Sequence, residues 1–120
     1  MAPSPTPGGR VVLLTADLLF GSKVEGMIRG AGAEPILTAR PEEALSASRD
    51  AGLLIVDLTA DAFDGTSVVA AGGVPTLGYY AHTDDETRRR ALEAGFRSVV
   101  PRSRMMREGV SLIAQAIEGE

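Results

Sequence analysis

The feature that most limits how this chain can fold is a recurrence. Short apolar runs, each too brief for a helix, are separated by stretches with helical spacing. Val11-Val12-Leu13-Leu14 is the first run, β-branched at its start, and reads as a buried strand. Phe20, Val24, Met27, Ile28 and Ala31 follow at helical spacing, and Gly30-Ala31-Gly32 closes that helix. Pro35-Ile36-Leu37 is a second strand, placed toward an edge by its proline. Pro41 opens a second helix at its first turn, where Glu42 and Glu43 suit the helix dipole. Leu53-Leu54-Ile55-Val56 is the third strand. Only Thr66 to Ala71 is available for a third helix before Gly72-Gly73, so that helix is expected to be short.

Pro75 to Tyr80 gives the fourth strand. Thr83-Asp84-Asp85-Glu86 is a capping box, with Thr83 as N-cap and Glu86 reaching back, and it launches a helix that ends at Ala94-Gly95. Ser98-Val99-Val100 is the fifth strand, and Met106, Val110, Ile113 and Ile117 stripe a last amphipathic helix. Five strands alternating with five helices imply a parallel sheet covered on both faces. Such a sheet binds ligands at the C-terminal ends of its strands, so side chains there are the candidates for function.

Residues 1–9, with three prolines and two glycines, read as a flexible tail, which leaves residues 10–120 as a single domain. The absence of cysteine excludes disulfides, thiolate nucleophiles and Cys-based zinc sites. The single histidine, His82, rules out a multi-His metal site. A net charge of −4 argues against a nucleic-acid partner, since phosphate binding needs a basic face. No apolar stretch approaches the ~20 residues that span a bilayer, and the N-terminus lacks the order of a signal peptide. The expectation is a soluble cytoplasmic protein with no membrane contact. Gly72-Gly73 and Gly8-Gly9 fit no phosphate-binding loop. Asp61 and Asp64 read as loop and N-cap residues, and His82 as a loop residue without a catalytic carboxylate.

The candidate chemistry centres on Asp57, a carboxylate at the tip of the third strand, with Asp64-Gly65 seven residues on. This spacing, within this order of elements, resembles the phosphoacceptor segment of the CheY-like receiver domains of bacterial response regulators. The resemblance runs from about Arg10 to Ile117. It implies a three-layer, flavodoxin-like α/β/α fold with strand order 2-1-3-4-5 and, here, a shortened third helix. It also implies that Asp57 corresponds to the aspartate that accepts a phosphoryl group in the presence of Mg²⁺.

The rest of the pattern departs from the family. The acidic pair that would hold the cation falls on Thr15 and Ala16, with Asp17 one place later. The strand-four hydroxyl falls on Tyr80 and the strand-five lysine on Arg102, with Ser103 in place of the following proline. Ala16 cannot ligate a cation, and Tyr80 puts a ring where a small hydroxyl belongs. Arg102 keeps the charge as a planar fork rather than a point charge. The expectation is therefore a pseudo-receiver in which Asp57 and Arg102 form an ion pair, no Mg²⁺ is bound unless Asp17 is recruited, and no enzymatic reaction is run.

Such a domain would act in signal transduction by binding another signalling protein. The expected surface is formed by the helix that starts near Thr83, the fifth strand and the last helix, and carries Tyr80 and Arg88-Arg89-Arg90. The same face could form a homodimer. Arg88 to Arg90 also read simply as a solvated helix face. Two other classes stay open. One is an active single-domain response regulator phosphorylated on Asp57. The other is a small flavodoxin-like enzyme or ligand-binding domain with a pocket lined by Asp17, Asp57, Tyr80 and Arg102.

Overall fold

A computed structural model describes residues 9–59, 74–81 and 85–118. In chain order these form β1 (Arg10–Leu14), α1 (Leu18–Gly30), β2 (Glu34–Thr38), α2 (Pro41–Ser48), β3 (Leu53–Asp57), β4 (Thr76–Tyr80), α3 (Asp85–Ala94), β5 (Ser98–Pro101) and α4 (Arg102–Ile117). The strands make one parallel sheet in the order β2-β1-β3-β4-β5, as the alternation of elements and the resemblance implied. The expected short third helix at Thr66–Ala71, the Asp64-Gly65 turn, His82 and the Thr83 half of the capping box lie outside the described residues, as does the expected tail apart from Gly9.

The sheet sorts its side chains by parity, because successive residues of a strand point to opposite faces. Val11, Leu13, Leu53, Ile55, Leu77, Tyr79 and Val100 face α1 and α4, where they pack with Phe20, Val24, Ile28, Met105 and Ile113. Val12, Leu14, Leu54, Val56, Tyr80 and Val99 face the other layer, with Ala44 of α2 and Ala91 of α3. All five residues of β3 and of β4 are buried, which explains their near-continuous apolar runs. β2, at the edge, is half exposed, in keeping with its proline.

The helix ends follow from glycine. Gly32 has φ +86°, and past it the Ala33 N–H donates to the Ile28 carbonyl at 3.1 Å while the Gly32 N–H donates to Arg29 at 3.0 Å. Gly95, at φ +113°, ends α3 in the same way, with the Phe96 N–H on Ala91 and its own N–H on Leu92. This pair of bonds is a Schellman closure, which needs the left-handed backbone that glycine adopts without a Cβ penalty.

One expected element is present but rotated. The buried positions of α4 are Met105, Gly109, Ile113 and Ala116, whereas Met106 and Val110 are each more than two-fifths exposed. The turn of the helix is set by Gly109, where a Cβ would meet Met27 Sδ of α1. With no side chain of its own, Gly109 lets α1 approach closely, and that contact turns Met106 and Val110 outward.

Candidate functional site

Asp57 is the last residue of β3, and strand parity turns its side chain toward the α1–α4 layer, on the same side as Leu53 and Ile55. It is 1% exposed. Thr15 lies one residue past the end of β1 and is 1% exposed; its N–H donates to the Thr38 carbonyl and so continues the ladder. The Thr15 hydroxyl donates to Asp57 Oδ2 at 2.6 Å. The other carboxylate oxygen, Oδ1, accepts from the Thr59 N–H at 2.8 Å and from the Thr59 hydroxyl at 2.5 Å. Among the described residues, three donors therefore hold the buried carboxylate. Each hydrogen bond to an ionised group contributes about 1.5–3 kcal/mol, enough together to offset much of the desolvation of the charge.

Tyr79 is the direct strand neighbour of Asp57 in the β3–β4 register and points to the same side. Its ring is fully buried, and its hydroxyl makes no hydrogen bond of good geometry although it lies beside Thr15. Burial, reinforced by the nearby charge of Asp57, holds the Tyr79 phenol well above its ordinary range. Over Tyr79 lies Phe20, with ring centroids 5.0 Å apart and planes tilted by 50°. Over Phe20 lies the Arg102 guanidinium, 4.2 Å from the ring centroid. Arg102 Nη2 in turn bonds Asp17 Oδ2 at 3.2 Å. The result is a stack from the buried carboxylate outward through two rings to a half-exposed ion pair.

Asp17 is used twice more. Its Oδ1 accepts from the Phe20 N–H at 3.0 Å, which makes it the N-cap of α1, and its own N–H donates to Thr15 Oγ1 at 3.0 Å. One short segment, Thr15-Ala16-Asp17, therefore starts the helix, clamps Asp57 and anchors Arg102.

The expected site residues separate into two groups. Thr15, Asp17 and Asp57 come together, with Arg102 joined through Asp17. The Asp57–Arg102 ion pair expected from sequence is not formed: Arg102 pairs with Asp17 and stacks on Phe20. Ala16 is exposed and offers no donor atom. Tyr80 is 5% exposed on the opposite face of the sheet, in the cluster with Val56, Ala91 and Phe96. Tyr80 and Asp57 therefore lie on opposite sides of the sheet, and among the described residues Tyr80 does not join Asp17, Asp57 and Arg102. Arg88, Arg89 and Arg90 are exposed on α3, where Arg89 pairs with Glu86 and Glu93 and Arg90 with Glu86. Asp61, Asp64 and His82 are outside the described residues.

Sequence reasoning missed Thr59, Tyr79 and Phe20. Thr59 carried a readable signal, since an aspartate followed two residues on by a backbone N–H forms an Asx turn at a strand end. Tyr79 did not, because which of two adjacent tyrosines faces Asp57 depends on register.

A divalent cation does not fit these side chains. Mg²⁺ demands oxygen ligands in octahedral array and commonly one or two carboxylates. Here the Thr15 hydroxyl is engaged as a hydrogen-bond donor to Asp57, the Ala16 side chain has no ligand atom, and Asp17 is committed to the α1 N-terminus and to Arg102. Among the described residues no three histidine or acidic side chains gather as a metal site.

No family model and no curated protein matches this sequence. Solved structures match its fold. The receiver domain of the putative response regulator NarL from Mycobacterium tuberculosis superposes with a TM-score of 0.78 at 20% identity, covering 92% of this chain and 97% of that one. A putative response regulator from Chloroflexus aurantiacus gives 0.79 at 23% identity, with 92% and 98% covered. The receiver domain of the sensor histidine kinase PA1611 from Pseudomonas aeruginosa, whose cleft coordinates a magnesium ion, gives 0.75 at 18%, with 92% and 98% covered. The fold of this chain is thus the CheY-like receiver fold.

Proposed function

We propose that this chain is a pseudo-receiver: a receiver-fold signalling module that works by binding another protein, without Mg²⁺-dependent phosphorylation and without enzymatic turnover. One observation carries the reading. The carboxylate at the phosphoacceptor position is already bonded by the hydroxyls of Thr15 and Thr59 and by the Thr59 N–H, all within 2.8 Å. A magnesium-binding neighbour such as the PA1611 receiver holds a cation in its cleft; here Thr15 and Thr59 supply hydrogen bonds to the carboxylate instead. Phosphoryl transfer to a carboxylate needs a cation to neutralise the repulsion between nucleophile and donor. The Arg102 charge does not substitute in this arrangement, since it pairs with Asp17 and stacks on Phe20 rather than on Asp57. In this reading Asp57 is structural, pinning the C-terminal ends of β1 and β3 together.

The test is an amide NMR titration of the full chain with Mg²⁺, followed by beryllofluoride as a phosphoryl mimic. Unchanged resonances for Thr15, Asp57, Thr59 and Tyr79 are the expected outcome. Shifts centred on those residues would overturn the reading and establish Asp57 as a phosphoacceptor.

A further inference from the structure

Arg102 and Phe20 form one wall of a shallow depression of about 380 Å³, completed by Lys23 of α1 and by Ser103 and Met106 of α4. It opens at the C-terminal edge of the sheet, since Phe20 lies in the first turn after β1 and Arg102 directly follows β5. Open sheets of this kind take their ligands at that edge. The volume lies within the range of about 300–1,000 Å³ that small-molecule sites occupy. Two other depressions, one beside Arg49 and one beside Arg97, open at the opposite ends of the strands. Asp57 is 1% exposed and does not line the depression, so the phosphoacceptor position is a separate place.

The lining side chains include two cations and a hydroxyl, and none is acidic. Arg102 pairs with Asp17. Elsewhere on these two helices Arg29 pairs with Glu25, and Arg104 and Arg107 with Glu108. Lys23 alone among the cations of α1 and α4 has no acidic partner among the described residues, and the Ser103 hydroxyl has no hydrogen-bond partner there either. With Asp17 counted against Arg102, the charge of Lys23 is left over. An ammonium beside a hydroxyl calls for an anion that accepts hydrogen bonds, as a carboxylate does. The rest of the lining favours a ring. The Arg102 guanidinium is fixed in place by Phe20, 4.2 Å from its centroid, and by Asp17, yet its side chain is 44% exposed. Met106 is exposed as well. Guanidinium and thioether groups both pack favourably on aromatic rings. A bare phosphate would leave Met106 uncovered, and a plain hydrocarbon would leave Lys23 unused. We propose that this depression binds a small aromatic carboxylate, with its carboxylate on Lys23 and Ser103 and its ring against Arg102 and Met106. The inference adds a small-molecule site to the protein-binding reading and does not rest on it.

The experiment titrates the full isotope-labelled chain with 2-naphthoate and follows the amide and methyl resonances. Separate titrations use 2-naphthylmethylammonium, which keeps the ring and reverses the charge, and inorganic phosphate, which keeps the charge and lacks the ring. The expected result is saturable one-to-one binding of 2-naphthoate, with shifts at Lys23, Arg102, Ser103 and Met106. Its affinity should exceed that of either comparison probe about tenfold. Lys23→Gln is expected to weaken it about tenfold, and Met106→Gln several-fold. Both side chains are exposed and outside the core, so thermal melts of the variants should match the parent and separate a lost site from a lost fold. Equal affinity for the ammonium probe, or for phosphate, would overturn the proposal. So would shifts centred on Arg49 or Arg97, a response that Lys23→Gln leaves unchanged, or no saturable response at all.

Discussion

Asp57 is held by hydroxyls, and that has measurable consequences residue by residue. Thr15→Val keeps the shape of the side chain and removes the one donor that the described residues give Asp57 Oδ2, leaving a buried oxygen of an anion without it. The expected loss is about 1.5–3 kcal/mol, read as a fall in the urea midpoint at unchanged slope. A change within about 0.5 kcal/mol would mean that water replaces the bond and the clamp is not structural. Tyr79→Phe runs the other way. Its hydroxyl is buried without a well-formed bond, so its removal should be neutral or stabilising by about 1 kcal/mol. The phenol also sets a pH limit. Its folded-state pKa is raised, so the folded state holds the proton more tightly than the unfolded state does. The resulting contribution is fully present below the unfolded value of about 10 and is lost as pH rises from there toward the folded value. Denaturant midpoints from pH 9 to 11 should therefore fall more steeply for the parent than for Tyr79→Phe; equal slopes would show that Tyr79 is not the group responsible.

Besides Gly109, two further glycines control contact between elements. A Cβ on Gly21 of α1 would lie 2.9 Å from Thr15 Cγ2, so the helix can seat against the tip of β1 only because that position is glycine. A Cβ on Gly78 of β4 would meet Leu58 at 2.7 Å and the Phe96 ring at 3.0 Å. Gly78→Ala should destabilise the domain by about 1–3 kcal/mol through overpacking of the α3 layer, while leaving the Asp57 clamp intact. Gly21→Ala should cost a similar amount and also move the Thr15 and Asp57 amide resonances, which distinguishes a disturbed clamp from a disturbed core. The same elements show what a sequence can carry. The β1, β3 and β4 runs announce strands because they are apolar on both faces, and glycine past α1 and α3 marks their ends. The rotation of α4 was not legible, because Met105 and Met106 are interchangeable in a helical pattern. Gly109 decides between them, and only the packed partner Met27 reveals why. The Asp57–Arg102 pairing failed for a related reason: charge and spacing are visible in sequence, but that Arg102 stacks on Phe20 and pairs with Asp17, two residues of the α1 end, is set by packing between elements.

For the molecule as a whole, the proposed reading has a receiver fold in which hydrogen bonds from Thr15 and Thr59 stand where a cation would, and this can be tested by installing carboxylates at the tip of β1. Thr15→Asp with Ala16→Asp sets two carboxylates at the tip of β1, one of them at the position now 2.6 Å from Asp57. Position 15 is 1% exposed, so two like charges would then share a poorly hydrated site, and the variant should be less stable than the parent in a chelator. A hard divalent cation would neutralise that repulsion and find the oxygen ligands it requires. Adding about 10 mM Mg²⁺ should therefore raise the melting temperature of the double variant, because a ligand that binds only the folded state stabilises it by mass action. The parent should not respond, since its hydroxyls have satisfied Asp57 already. An equal response from both chains would mean that the parent holds the cation despite Thr15 and Ala16, and the proposed reading would be refuted. If neither responds, the obstacle lies beyond the first strand, in the Asp17–Arg102 pair and the Phe20–Tyr79 stack that it covers. Arg102→Lys added to the double variant would then show whether opening that stack restores the site.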